Sequence, residues 1–272
     1  MKSFANKVAV ITGAGSGIGR ALAQQLSEEG ALLALSDVNL PALEETHASL
    51  TGHGKVLITQ LDVADRSAFE AYSQQVINEF GHADLLFNNA GVALAQTVKD
   101  CSYDDFEWLM NINFWGVVYG TKSFLPHMLS RPEAAIINVS SIFGIIALPT
   151  QAQYNAAKFA VRGFTESLRQ EVKGSKLFVS CVHPGGIKTN IVVNGRMHTS
   201  MVGEQTHKQQ IEEFNKIART TPKQAAQTIL NGIRKNKRRI LIGQDAKFMD
   251  RIQRLFPEKY TNIFAALMKL AG

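Results

Sequence analysis

The chain has 272 residues, is 45% hydrophobic and 19% charged, and carries a net charge of +6, which suits a globular protein with a sizeable core and excludes a low-complexity or fibrous one. Two cysteines, Cys101 and Cys181, exclude a disulfide framework, and seven scattered histidines give no metal-ligand spacing, so no metal is expected. No apolar run reaches the ~18 residues of a membrane span, and the first, Val8 to Ile11, is too short for a signal peptide, so a cytoplasmic protein is expected.

Taken in chain order, Val8–Thr12 reads as a buried strand and leads into Thr12-Gly13-Ala14-Gly15-Ser16-Gly17-Ile18-Gly19. A helical pattern, Gly17–Glu29, follows. Strand, glycine turn and helix form the setting in which backbone N–H groups and a helix N-terminus receive a phosphate. The spacing is G-x-x-x-G-x-G, so neither the G-x-G-x-x-G fingerprint nor a P-loop is matched. A second strand, Leu32–Ser36, ends at Asp37, 18 residues after Gly19 and near the distance at which an acid receives an adenosine ribose. Capping of the next helix is the competing role for Asp37.

Helix Leu40–Leu50, strand Val56–Gln60, helix Arg66–Phe80 and strand Leu85–Asn88 follow. A long helical pattern, Tyr103–Ser130, precedes strand Ala135–Val139, which stops just before Ser140 and Ser141. Helix Gln151–Lys173 holds Tyr154 and Lys158 four residues apart, hence on one face. An ammonium there favours the phenolate of a tyrosine whose ordinary pKa is near ~10, and Ser141 could hold a substrate oxygen. Strand Leu177–His183, helix Pro222–Lys235 and strand Ile240–Ile242 complete the alternation. Such alternation predicts an α/β fold, a doubly wound, Rossmann-type parallel sheet of about seven strands with helices on both faces. With no linker or internal repeat, residues 1–272 read as one domain, with a small helical lobe at about 190–220.

Together these motifs resemble the short-chain dehydrogenase/reductase family in its roughly 250-residue branch, over about residues 5 to 190. Beside the glycine turn, the resemblance rests on Asn88-Asn89-Ala90-Gly91, on Asn113, Ser141, Tyr154 and Lys158, and on Pro184-Gly185-Gly186-Ile187-Lys188-Thr189. It implies an oxidoreductase that moves a hydride between a nicotinamide cofactor and an alcohol or carbonyl carbon. Tyr154 would exchange the proton, Ser141 would hold the oxygen, Lys158 would hold the nicotinamide ribose, and Asn113 would position a water linking Lys158 to solvent. An ordinary backbone-bonded helix asparagine is the plainer role for Asn113. Gly13, Ser16, Gly17, Ile18 and Gly19 would line the pyrophosphate. Asp62 and Val63 would touch adenine, and Asn89, Ala90 and Gly91 would pass the adenosine ribose. Pro184, Gly185, Ile187 and Thr189 would meet the nicotinamide and pyrophosphate. Asp62 as a helix cap and Pro-Gly-Gly as a simple turn are the alternatives. Asp37, with Ser at position 16 and Val38 rather than Arg beyond it, favours NAD, with NADP as runner-up.

For the substrate, Ile142, Phe143 and Gln151, with Ile191, Met197, Met201 and Val202 from the lobe, suggest an apolar wall. A hydrophobic secondary alcohol or ketone, or an aldehyde, is therefore expected, unless those residues are only core. Charge is asymmetric. Residues 1–190 hold 14 Lys+Arg against 17 Asp+Glu, and residues 191–272 hold 15 against 6. The basic stretch at about 245–272 reads as two amphipathic helices, the first capped by Asp245 and the second opened by Pro257. It could lie on a membrane, cover the substrate cleft or contact a subunit. No nucleic-acid motif accompanies the charge, so no nucleic acid is expected as a partner. Apolar residues around the helices at 103–130 and 151–173 (Phe106, Leu109, Phe114, Trp115, Phe159, Val161, Phe164) predict a homodimer, with a tetramer as the alternative. A non-catalytic NAD-binding regulator is the reading from outside enzymology; it would predict loss of Tyr or Lys, and both are present.

Overall fold

The computed structural model describes residues 1–199 and 206–271, so Met201 and Val202 lie outside the described residues. The chain runs β1 (Val8–Thr12), α1 (Gly17–Glu28), β2 (Leu32–Asp37), α2 (Leu40–Ala48), β3 (Val56–Gln60), α3 (Arg66–Phe80) and β4 (Leu85–Asn88). A two-residue strand β5 (Leu94–Ala95), α4 (Tyr103–Met110), α5 (Gly116–Leu129), β6 (Ala134–Val139), α6 (Ala152–Glu171) and β7 (Leu177–Pro184) follow. Then come β8 (Arg196–Met197), α7 (His207–Ile217), α8 (Pro222–Arg234), β9 (Arg239–Ile242), α9 (Gln244–Leu255) and α10 (Tyr260–Ala271).

Seven strands form one parallel sheet in the order β3-β2-β1-β4-β6-β7-β9. Successive side chains of a strand face opposite ways, and here both faces are covered. Ala9, Ile11, Leu33, Leu35, Phe87 and Ile137 pack with Leu22 and Leu26 of α1 and Ile229 and Ile233 of α8. Val8, Val10, Ala34, Leu86, Ile136 and Val179 pack with Phe69 of α3, Phe124 of α5 and Leu168 of α6 on the other side. Because β1 lies between β2 and β4, the connections diverge there, and a crevice opens above the carboxyl ends of the strands.

Three expectations change. The helix read over Tyr103–Ser130 is interrupted: residues Asn111–Trp115 form a π turn between α4 and α5. Asp245 does not cap α9; Gly243 stands at that position, with φ 94°, and Asp245 lies in the helix's first turn. The pairing of β5 with β8 is new, since two-residue strands carry no periodic signal. It ties the segment after Asn190 to the sheet's top, and Arg196 fixes it further by stacking 3.9 Å over Trp108 and pairing with Asp105 at 2.6 Å. Cys181 is buried in β7 and Cys101 is half-buried; both are free.

Candidate active site

The glycine turn is shaped first by the chain's own close approaches. A Cβ on Gly13 would stand 2.8 Å from Ala90 Cα, and one on Gly19 would stand 2.1 Å from Gly13 O. Asn89 Nδ2 donates to Thr12 O (2.9 Å) and Gly13 O (3.2 Å), so the turn is stitched to the Asn89-Ala90-Gly91 segment. Gly17 has φ 52°, a left-handed conformation suited to glycine, and lies under Thr189, whose Cγ2 would be 3.0 Å from an added Cβ. Ser16 stands at the N-cap of α1, yet its hydroxyl makes no cap, which leaves the first N–H groups of that helix for a ligand.

Asp37 closes β2 beside this turn. Its Oδ2 accepts from Gly15 N at 2.8 Å and its Oδ1 from Asn39 N at 3.0 Å. Asn39, not Asp37, caps α2. Asp62 is likewise not a helix cap: Asp65 fills that place at α3, and Asp62 accepts from Ala64 N at 2.9 Å. Asp62 is exposed and Val63 buried, at the mouth of the crevice above β3. Arg20 reaches back to the turn and is engaged there: its guanidinium donates to Gly15 O (2.5 Å), Ala42 O (3.1 Å), Thr46 Oγ1 (2.9 Å) and Glu45 (3.0 Å).

At the centre of the crevice the structure brings Asn113, Ser141, Tyr154 and Lys158 together. Ser141 follows β6, and its Oγ accepts from Phe143 N at 3.1 Å. Burial pushes the Tyr154 phenol up to about 12, against a lowering hydrogen bond from Ser141. Lys158 is pushed down to about 8 by burial; its Nζ donates to Val139 O at 3.1 Å and lies 5.7 Å from the Tyr154 ring centre. For the phenol, desolvation outweighs the Ser141 hydrogen bond, and the Lys158 ammonium is turned to a carbonyl. Ser140, the neighbouring serine, is buried and donates to Lys158 O at 2.7 Å, so it braces the helix instead of facing the crevice. Asn113 sits in the π turn, its amide bridging Val92 N and Val92 O at 2.8 Å each. A Cβ on Gly91 would stand 3.0 Å from Asn113 Oδ1 and 3.4 Å from Lys158 Nζ, so both border the same space.

His183 escaped the sequence reading. It is buried in β7, and its Nδ1 lies 3.0 Å from Ser141 O, while burial pushes its pKa down to about 4. Only the register of β7 beside β6, which no local pattern shows, places it there. Of the expected substrate wall, Phe143 meets the Tyr154 ring edge-on at 6.1 Å. Gln151 stands at the start of α6. Ile142 is instead buried with Ile145, Ile146, Ala246 and Phe264, and so belongs to a small core shared with α9 and α10. Leu94 of β5 packs on Tyr154, and Ala95 pairs with Met197 of β8; the Met197 thioether and Ile191 O both crowd Gly195.

Residues 7–199 match the family described as short chain dehydrogenase. The chain is 46% identical over 271 residues to the putative oxidoreductase SadH of Mycobacterium tuberculosis, covering 98% of this chain and 96% of that one. It belongs to the short-chain dehydrogenase/reductase family. A short-chain dehydrogenase/reductase from Burkholderia phymatum in complex with NAD superposes with TM-score 0.85 at 29% identity, covering 95% of this chain and 96% of that one. Levodione reductase superposes with TM-score 0.81 at 29% identity, covering 90% and 99%.

As a member of that family, the protein is an NAD(P)-dependent oxidoreductase. The residues present fit a nicotinamide dinucleotide: an uncapped helix N-terminus, a carboxylate closing the second strand, and a crevice between them and the buried Tyr154 and Lys158. Among the described residues no helix is long and apolar enough to cross a membrane.

Proposed function

We propose that this dehydrogenase transfers a hydride reversibly between NAD(H) and a hydrophobic secondary alcohol or ketone, or an aldehyde. The observation that carries the reading is the buried convergence of Ser141, Tyr154 and Lys158 at the carboxyl end of β6. Bound nicotinamide supplies the hydride donor or acceptor. Tyr154 gives its proton to a carbonyl oxygen in reduction and takes the hydroxyl proton in oxidation. Ser141 donates to the same oxygen as charge develops on it. Lys158, with its pKa near 8, is mostly charged at neutral pH, and its charge supports the phenolate that oxidation requires. Asn113 fixes the backbone at Val92 beside Lys158, where a water would join the ammonium to solvent.

The NAD preference rests on Asp37, whose carboxylate would repel a 2′-phosphate, and on Arg20, whose Nε and Nη2 are engaged by Gly15, Ala42, Thr46 and Glu45. Asp62, Val63, Ile187 and Thr189 are assigned to the adenine, nicotinamide and pyrophosphate ends of the same crevice. An apolar substrate is supported by Phe143 against Tyr154 and by Leu94 beside it. The basic extension acts as a cover: its inner face, Ala246, Ile252, Tyr260 and Phe264, packs on the loop after Ser141. We read the chain as one catalytic domain that pairs through α4, α5 and α6.

Fluorescence titration should show tighter binding of NADH than of NADPH, and Asp37→Ala should erase the difference; equal affinities in the wild type would remove the basis for NAD. Tyr154→Phe should bind NADH normally and lose turnover by about 10³-fold or more. Retention of about a tenth of the activity would overturn the assignment of Tyr154.

A further inference from the structure

The basic extension reaches the cofactor side of the crevice as well as the substrate side. Asp245, in the first turn of α9, does not serve its own helix. Its Oδ2 accepts from Gly186 N at 2.7 Å. A Cβ on Gly185 would find the Asp245 carboxylate as its three nearest atoms, at 2.2 to 2.5 Å. The backbone of Gly185 is not in the left-handed region, so this carboxylate, and not the main-chain conformation, is what excludes a side chain there.

The turn so gripped leads straight to the residues assigned to the nicotinamide and pyrophosphate. Gly185 N donates to Ile242 O at 2.9 Å, and Ile187 bridges to Thr220. A Cβ on Gly186 would press on Ala218 Cα at 3.1 Å. At the far end, Thr189 rests on Gly17 of the glycine turn. The turn is therefore held from below by β9, from the side by residues 218–220 and from above by one carboxylate. Of these holds, the carboxylate alone comes from the extension. The extension has other, separate anchors: Asp250 pairs with Arg239 of β9, and Tyr260 OH accepts from Ala147 N at 3.1 Å, in the loop after Ser141.

We propose that Asp245 is a positioning residue for the cofactor: its carboxylate fixes the Pro184-Gly185-Gly186 turn, and through it Ile187 and Thr189, and so couples the C-terminal extension to dinucleotide binding. The inference rests on the NAD(H) reading above. A carboxylate accepting a backbone N–H makes a strong, short hydrogen bond, and its loss frees a turn that must be set before the cofactor binds.

The test reads NADH binding by fluorescence, with melting temperature alongside. Asp245→Ala should weaken NADH binding about tenfold. In turnover it should raise KM for the dinucleotide while leaving KM for the alcohol near the wild-type value. Asp245→Asn, which keeps an acceptor for Gly186 N, should recover most of the affinity. Tyr260→Phe, at an anchor away from the turn, should leave NADH affinity unchanged. The decisive arm is the pair with Gly185→Ala. Alone, that substitution meets the carboxylate and should weaken NADH binding; combined with Asp245→Ala, it should cost little more than Asp245→Ala alone. Additive effects in that cycle, or NADH affinity within about twofold of wild type in Asp245→Ala, would overturn the proposal. If Asp245→Ala fails to fold, Asp245→Asn and Gly185→Ala decide it by the same titration: unchanged affinity in Gly185→Ala rejects it. Failure of the wild type to bind NADH at all would reject the NAD(H) reading itself, a different result from a wild type that binds and a variant that binds as well.

Discussion

At the residue scale, two serines stand side by side, and the amino-acid order does not choose between them. The structure does. Ser140 spends its hydroxyl on Lys158 O, whereas Ser141 faces Tyr154. Ser140→Ala should therefore cost about 1 kcal/mol of stability with turnover largely kept. Ser141→Ala also gives up one bond, from Phe143 N, and so should cost a similar amount of stability, but in addition about 10²-fold in turnover. Urea denaturation and steady-state rates on both variants separate the two. His183 gives a second expectation. Its folded pKa, about 4, lies below the ordinary 6.5, lowered first by burial and further by the guanidinium groups of Arg239 and Arg162, with the hydrogen bond to Ser141 O and the Asp250 carboxylate opposing them. A depressed histidine contributes stability that is whole above pH 6.5 and is lost as pH falls through 4. The urea midpoint should fall over that window in the wild type and fall less in His183→Gln. Tyr154 and Lys158 were legible because four-residue spacing on a helix is local. His183 was not, because its partner lies 42 positions away across a strand pair.

At the scale of elements, the parallel strands and most helices follow from apolar periodicity, and their ends fall within a residue or two of expectation. Asp37, read as just past β2, is its last residue. The π turn at Asn111–Trp115 was hidden because one extra residue in a turn leaves the apolar pattern of a 28-residue segment almost unchanged. Its effect on the site is large. It presents Asn113 to Val92, where the amide satisfies both an N–H and a carbonyl. Asn113→Leu keeps the volume and removes both bonds, so it should lower stability by about 2 kcal/mol and impair turnover together. A denaturant midpoint equal to wild type would contradict that account. Asp245 was misplaced for a related reason. Its position near a helix start suggests a cap, and only the tertiary fold shows that its oxygens serve Gly186 instead.

At the scale of the whole molecule, the apolar faces of α4, α5 and α6 are partly settled within the chain. Leu109 and Val161 are fully buried, and Phe114 meets Phe164 edge-on. Phe106, Trp115 and Phe159 remain 37%, 43% and 40% exposed. A two-fold contact needs large apolar side chains at its centre, and α4, the π turn and α6 each offer one. We expect a dimer by light scattering at micromolar concentration, and a monomer for Trp115→Glu combined with Phe159→Glu. Phe106, Leu109, Phe114 and Trp115 could not be divided between an inner and an outer face from periodicity, since α4 and α5 meet through the π turn and their shared phase is broken there.

The two cysteines turn this architecture into an internal clock. Cys181 lies in β7 with β6 on one side and β9 on the other, is 1% exposed, and has a thiol pushed up to about 12 by burial. A thiol-modifying reagent meets it only when those strands part, while half-buried Cys101 is open to attack without such a rupture. The lag between the two modifications therefore measures how often the sheet breathes beneath the crevice. Any dinucleotide that binds only the closed form must lengthen that lag by the inverse of the fraction left unliganded, 1 + L/Kd for a free dinucleotide concentration L.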